Sequence, residues 1–494
     1  MGRVMPVAIS TLAVLFILKV LLDGFFNPLR HIPGPWYSRF TSIPHLSARA
    51  SGSSLTYTKK LHLHYGPVVR LAPESVSVNS IDSFYQIHNV GSNFQKTPIF
   101  DRIRFSHSPM LFTMRDQKLH AERRRMLGRA FAAARTGLDA SVANLVRQAV
   151  DGIKCDAIEG HADVYKWWRC LAVDVIATMS FGKPLGMLRD QITGQESPIL
   201  VALENANQRV VLGAVMPPVF FEFLKWSPTR HFRNLGWARE VMFNAARAAV
   251  KNLQNDSLDG RSIFGQIIAT FRNGLKGTLD EDNMSSEAAM MMVAGSDSTA
   301  ATLTYAVWEV LKRPDLQRRL EDEVKSLEPN FVWEDVEPLP LLRNVVEETL
   351  RLYNPAGAPA ERLVPSSGAS IHGWDLPGGT TVFTQLWLLS RDDQIFPGAD
   401  RFDETRFEKL TSAQKRAHVP FSIGSRSCIG MYLARMELKI ALALFFRECR
   451  GARLGQHMTD VMMAQTGEFF IVPQGGRCDI FLPEGRRASG MPEH

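Results

Sequence analysis

Apolar positions recur at helical spacing over most of the chain. The intervals 140–180, 195–225, 240–255, 285–312 and 430–447 carry them at steps of three and four, the period that lays one helix face on a core. β-rich pieces are short and few, namely Val68–Leu71, Val76–Val78 and Thr380–Phe383. The pattern predicts a mainly α fold with small β-sheets. Val4 to Leu22 stands apart, a 19-residue stretch whose only charge is Lys19. At about 1.5 Å per residue, such a helix crosses about 30 Å of hydrocarbon. A cleaved signal peptide would need a shorter apolar run, more basic charge than Arg3 and a small-x-small site. One N-terminal transmembrane helix is therefore expected, with residues 1–30 as a membrane anchor and 31–494 as a single domain. Arg30, Arg39, Arg49, Lys59 and Lys60 follow the span, which places the body in the cytosol. The sequons Asn255-Asp-Ser and Asn283-Met-Ser would then go unused. Pro33-Gly-Pro35-Trp36 forms a stiff elbow after the anchor, since proline fixes its own φ and restrains the residue before it.

Composition narrows the class. The 494 residues are 45% hydrophobic and 22% charged, with 27 Pro and 35 Gly, proportions that exclude extensive disorder, collagen and a polytopic membrane protein. Five Cys, at 155, 170, 428, 449 and 478 and without a C-x-x-C pair, argue against a disulfide framework and a structural zinc site. Lys and Arg outnumber Asp and Glu by 57 to 50, a mild excess that suits an acidic partner or anionic lipid and is too spread out to imply nucleic acid. Neither G-x-x-x-x-G-K nor G-x-G-x-x-G occurs, so ATP and dinucleotide binding are not expected and reducing equivalents must come from elsewhere.

The strongest candidate chemistry lies near the C-terminus. Phe421-Ser-Ile-Gly424-Ser-Arg426-Ser-Cys428-Ile-Gly430 leads into a helical pattern with almost no polar face. Cys428 thus precedes a buried helix, whose positive dipole end and unpaired N–H groups favour a thiolate. A thiolate ligand to haem iron needs that setting. Gly424 and Gly430 permit a tight turn against a flat macrocycle, Arg426 can pair with a propionate, and Phe421 can shield the sulfur from water. A buried core Cys is the alternative. Yet F-x-x-G-x-R-x-C-x-G is expected by chance only roughly 2 times in ten thousand for this composition. The pattern resembles the signature of the cytochrome P-450 superfamily, and the resemblance runs from about Pro33 to residue 485.

That resemblance gives weaker motifs a meaning. Glu348-Thr-Leu-Arg351 sets a carboxylate and a guanidinium on one helix face; alone it reads as a surface ion pair, whereas in the family it is buried and joined by a later Arg. Arg406 matches that third member, although Glu404-Thr405 replaces the usual Pro-Glu before it. His120 and Arg124 resemble a propionate-binding pair four residues apart, with Arg123 and Arg125 on a solvated basic face that could dock an acidic redox partner. Arg362 resembles the strand residue that reaches the other propionate. Asp280 through Lys312 reads as a long helix whose middle is Ala294-Gly295-Ser296-Asp297-Ser298-Thr299. Sequence alone also allows a turn there. The resemblance implies instead an oxygen-binding groove, where a hydroxyl bonded back to a carbonyl loosens the helix. The motif's first Thr is Ser298 here.

Substrate contacts are expected from Ile99–Phe112, Val210–Phe223, the helix near Val293, Ala356–Pro359 and Gly467–Phe470, all mainly apolar. Val210–Trp226 reads by default as core, with an active-site flap and a second membrane contact as the alternatives. The resemblance implies a haem-thiolate monooxygenase of the endoplasmic reticulum membrane, similar to fungal microsomal members that act on terpenoid or polyketide skeletons. It implies haem b on Cys428, with Asp297, Ser298 and Thr299 at the oxygen-handling site, dioxygen and an apolar small molecule as substrates, and an NADPH-dependent flavoprotein reductase as partner. The alternatives are a haem-thiolate isomerase or dehydratase needing no reductase, a thiol hydrolase using Cys428, and a catalytically silent binding protein.

Overall fold

The computed structural model describes residues 4–483 apart from 136, 256–260, 273–278, 358 and 468. Helix α1 (Val4–Phe26) lies where the anchor is expected. The side chains of residues 4–10 and 13 lie outside the described set, and among the described residues no helix is long and apolar enough to cross a membrane. The anchor therefore rests on the sequence alone. After the proline elbow comes α2 (Ile43–Ala50).

Helices fill the intervals of helical period, and glycine and proline cut them. The first interval gives α4 (Leu138–Glu159) and α5 (Val164–Phe181) after the preceding α3 (Gln117–Ala133). The break follows Gly160, and the Asp163 carboxylate restarts the helix by accepting from Tyr165 N at 3.1 Å. The next interval divides at Pro217-Pro218 into α6 (Pro198–Val215) and α7 (Pro218–Leu224), followed by α8 (Arg230–Asn255). Helix α9 (Glu281–Leu311) runs unbroken for 31 residues, capped by Asp280 and stopped before Pro314, so the turn that the sequence allowed at Gly295 does not form. Helices α10 (Pro340–Leu352) and α11 (Met431–Glu448) complete the frame.

The core gathers where α9 crosses α5, α8 and α11. Ala288, Ala289, Ala300, Ala301 and Ala306 on α9 are fully buried, and their small side chains let the neighbouring helices approach. A Cβ on Gly295 would lie 3.2 Å from Ile176 Cγ1 of α5. Trp168 of α5 and Phe445 of α11 meet edge to face at 6.0 Å.

The largest sheet comprises β1 (Val68–Ala72), β2 (Ser75–Val78), β3 (Gln95–Lys96), β4 (Ala360–Leu363) and β5 (Thr381–Thr384), in the order β1-β2-β5-β4-β3. All neighbours are antiparallel except β2 and β5. The register sets Lys96 opposite Arg362. Two- and three-stranded sheets account for the remaining strands.

On α10 the Glu348 and Arg351 side chains are wholly buried. Arg351 Nε and Nη2 meet the two carboxylate oxygens at 2.7 and 2.8 Å. Arg351 also donates to Ser390 O and Ala399 O, while Glu348 Oε1 accepts from Asp403 N at 2.9 Å. The Thr405 departure does not displace the third member, since Arg406 Nε lies 3.4 Å from Glu348 Oε1 and its two Nη atoms donate to Pro397 O and Gly398 O. Glu404 turns away to Arg319 at 2.9 Å.

Candidate active site

A cavity of about 460 Å³ lies between α9, the Cys428 loop and the sheet. The loop is closed by Cys428 N donating to Phe421 O at 2.9 Å and tied down by Arg426, which donates to Met114 O and Arg115 O. Gly424 has φ +72, and a Cβ there would fall 2.0 Å from His88 O, so no side chain fits. Phe421 lines the cavity beside Cys428. The Cys428 thiol opens onto this cavity rather than onto bulk water. Burial raises its pKa, against a bond from the Gly430 N–H and the charge of Arg124. Burial thus opposes the helix end and the local donors that favour a thiolate, and a metal cation would add to those donors.

Arg124 and Arg362 line the same cavity as Arg426, together with His120. Arg124 donates to Ser427 O and Oγ at 2.7 and 3.1 Å, and Arg362 to Glu361 O at 2.9 Å. Burial lowers Arg362 and Arg426 to about 10, with Arg426 adding to the effect on Arg362. His120 falls to about 3 through burial and the four surrounding cations Arg426, Lys96, Arg124 and Arg362, which leaves its ring neutral.

Lys96 was not anticipated from sequence. It is buried, lines the cavity, donates to Phe112 O and lies 4.2 Å from the ring centres of both Phe100 and Phe112. Burial and the charges of Arg362 and Arg426 hold its pKa well below the lysine range. Nothing in the sequence around Lys96 marks it, and its place shows only once β3 pairs with β4. Among the described residues, Lys96, Arg124, Arg362 and Arg426 form no ion pair with an acid; their hydrogen bonds go to Ser427 and to backbone carbonyls. Such a set calls for a ligand with at least two negative charges at this edge. A flat apolar macrocycle with two carboxylates over a thiol donor fits.

Helix α9 supplies the opposite wall through Met290, Met291, Ala294, Gly295, Ser298, Thr299 and Thr302. Ser298 Oγ donates to Ala294 O at 2.6 Å and Thr302 Oγ1 to Ser298 O at 2.8 Å, bonds that draw carbonyls from the helix ladder. Asp297 does not line the cavity. Its carboxylate faces α5, where Oδ1 accepts from Arg169 Nε at 3.1 Å, and Arg169 Nη1 reaches the exposed Glu204 at 3.2 Å. Burial raises the pKa of Asp297, with Arg169 opposing. Val293 also lies outside the main cavity. Of the other expected substrate-facing stretches, Ile99, Phe112, Val210, Ala356, Pro359, Phe469 and Phe470 line it; Ala358 and Glu468 lie outside the described residues.

Arg123 corrects a sequence expectation. It is buried rather than solvated, because its guanidinium pairs with Glu287 of α9 at 2.6 Å and with Asn283 at 3.1 Å. Glu287 also accepts from Leu111 N at 2.8 Å, pinning the loop before α3 to α9. Arg125 is exposed as expected.

The cytochrome P-450 family model matches residues 32–475. The chain belongs to that family. It is 34% identical over 472 residues to the cytochrome P-450 monooxygenase stcB of Emericella nidulans, covering 93% of this chain and 89% of that protein. Identity is 31% to cypX of Dothistroma septosporum, covering 97% of each chain, and 32% to aflV of Aspergillus parasiticus, covering 94% of each; both are named cytochrome P-450 monooxygenases. The crystal structure of the cytochrome P450DA heme domain superposes with a TM-score of 0.75 over 92% of this chain and 98% of that one, at 17% identity, a likeness of fold. The chain is a cytochrome P-450 monooxygenase, a class that uses haem iron with a cysteine thiolate ligand, dioxygen and a redox partner.

Proposed function

We propose that the chain holds haem b with Cys428 as its axial thiolate and inserts one oxygen atom from dioxygen into an apolar small molecule of terpenoid or polyketide type, in a fungal secondary-metabolite pathway. The observation that carries this reading is the apolar cavity with a lone thiol on its floor and four cations without acid partners at one edge. Arg124, Arg362, Arg426 and Lys96 would hold the two propionates, with neutral His120 as a further hydrogen-bonding group. Bound there, the haem supplies oxygen activation at an iron made electron-rich by the thiolate. Phe421 keeps water from the sulfur. Ser298 Oγ, whose own proton is bonded to Ala294 O, presents its lone pairs to the groove, where it can accept a proton and pass one on. Asp297 is held by Arg169, which also reaches Glu204 at the surface; when that pair opens, the Asp297 carboxyl itself takes a proton from solvent and carries it to the groove. Aromatic and aliphatic side chains of the 99–112 loop, α6 and the 469–470 turn exclude water and orient the substrate.

Residues 1–30 anchor the chain in the endoplasmic reticulum membrane with the remainder, 31–494, as a cytosolic domain. An NADPH-dependent flavoprotein reductase supplies electrons. The test is turnover with reductase, NADPH and isotopically labelled dioxygen on the compound that accumulates in the native host when the chain is removed. One labelled oxygen in the product and one in water is expected. A product without label would favour the isomerase or dehydratase reading.

A further inference from the structure

Beside the main cavity lies a second, smaller cleft with a different character. Its volume is about 40 Å³, and Arg102, Arg104, Arg209 and Arg239 line it over an apolar floor that includes Val293 and Met242; no acidic residue lines it. At the roughly 10–15 Å³ that one water needs, it has space for about three or four non-hydrogen atoms. Ile103 and Val210 belong to the walls of both cavities, so the cleft adjoins the chamber that contains Cys428.

The acids near the cleft are already shared. Asp101 takes Arg104 and Arg115, Glu240 takes Arg239 at 3.3 Å and Lys225 at 3.0 Å, and Glu222 is bound by Lys225. Arg209 is left over. Among the described residues it makes no hydrogen bond and no ion pair, and its guanidinium carbon lies 3.2 Å from the centre of the Phe221 ring. Its Nε, like that of Arg104, is buried without an acceptor. Burial and the neighbouring Arg239 draw Arg209 down to about 10, with the charges of Glu240 and Glu222 opposing, so it stays a cation at neutral pH.

We propose that this cleft is an anion subsite of the active site, which takes a carboxylate on a substrate whose apolar body lies in the main cavity. A carboxylate fits the volume, and planar guanidinium groups bind it through paired N–H donors. The inference rests on the reading of the main cavity as a substrate chamber over haem. It adds that the preferred substrate is an apolar acid, selected by Arg209 with Arg104 and Arg239.

The test titrates the holoenzyme with ω-imidazolyl alkanoic acids of increasing chain length and with their methyl esters, following the change in haem absorption as the imidazole binds iron. At the length that reaches from iron to the cleft, the acid should bind about tenfold tighter than the ester, as one charge-assisted contact predicts. The preference should shrink with salt. Arg209→Gln should abolish it while changing ester affinity less than about twofold, and Arg209→Lys should keep most of it. Should Arg209→Gln fail to fold with haem, Arg104→Gln and Arg239→Gln carry the same test, each reducing the preference. Equal affinity of acid and ester at every length, or a preference that survives these variants, overturns the proposal. A holoenzyme whose spectrum responds to neither ligand at any length instead overturns the reading of the main cavity as a substrate chamber over the haem.

Discussion

Ser298 and Asp297 adjoin in the chain but face different surroundings, one the cavity and the other Arg169. Splitting dioxygen productively takes two protons at its outer oxygen, and poor delivery releases hydrogen peroxide instead. Ser298→Ala should spare reduction and ligand binding while product per NADPH falls and peroxide rises; Ser298→Thr should keep or improve coupling. Asp297→Asn should slow turnover, since an amide cannot take a proton from solvent and carry it to the groove. The ratio of product to peroxide checks this. Equal ratios in wild type and Ser298→Ala would reduce the hydroxyl to a packing detail and move attention to Thr299. The sequence could name both residues because they lie in one short motif, but not their facing. Lys96 and Arg123 escaped it for a related reason: each owes its burial to a distant segment, β4 for Lys96 and α9 for Arg123, and a lone cation in a sequence looks solvated.

Among the elements, α10 carries a wholly buried ion pair. Glu348 meets Arg351 twice, Asp403 N once and Arg406 at 3.4 Å, so one carboxylate joins the helix to the irregular chain ahead of the Cys428 loop. Removing either partner strands a buried charge at about 3–5 kcal/mol, against a total stability of about 5–15 kcal/mol. Glu348→Ala and Arg351→Ala should therefore accumulate little folded holoprotein. Wild-type haem content and thermal midpoint in both would show the pair to be dispensable. The helical period found the elements but merged some of them. The intervals 140–180 and 195–225 each became two helices, because apolar spacing continues across Gly160 and Pro217-Pro218 although the backbone cannot. For α9 the reverse held: Gly295 and its polar neighbours resemble a turn, and burial against α5 and α11 keeps the helix intact.

At the scale of the molecule, one helical frame holds the thiol loop beneath a groove in α9 and sets the cations of β3, β4, α3 and the loop at one edge. The loop was legible because ten adjacent residues carry it; the cradle was legible only in pieces, since its members come from four segments. The anchor belongs to this scale as well. Deleting residues 1–30 should abolish carbonate-resistant membrane association, although exposed Val219, Phe223 and Trp226 can leave a weaker peripheral attachment. Glycosylation at Asn255, whose sequon extends into residues outside the described set, would contradict the cytosolic orientation.

The most direct measurement is the absorption spectrum of the purified, haem-loaded protein after reduction under carbon monoxide. A Cys428 thiolate on the iron predicts the strongly red-shifted band of a thiolate–carbonyl complex, absent in Cys428→Ser. A fully haem-loaded preparation showing only a histidine-type carbonyl spectrum, or a spectrum that Cys428→Ser leaves unchanged, would contradict the account.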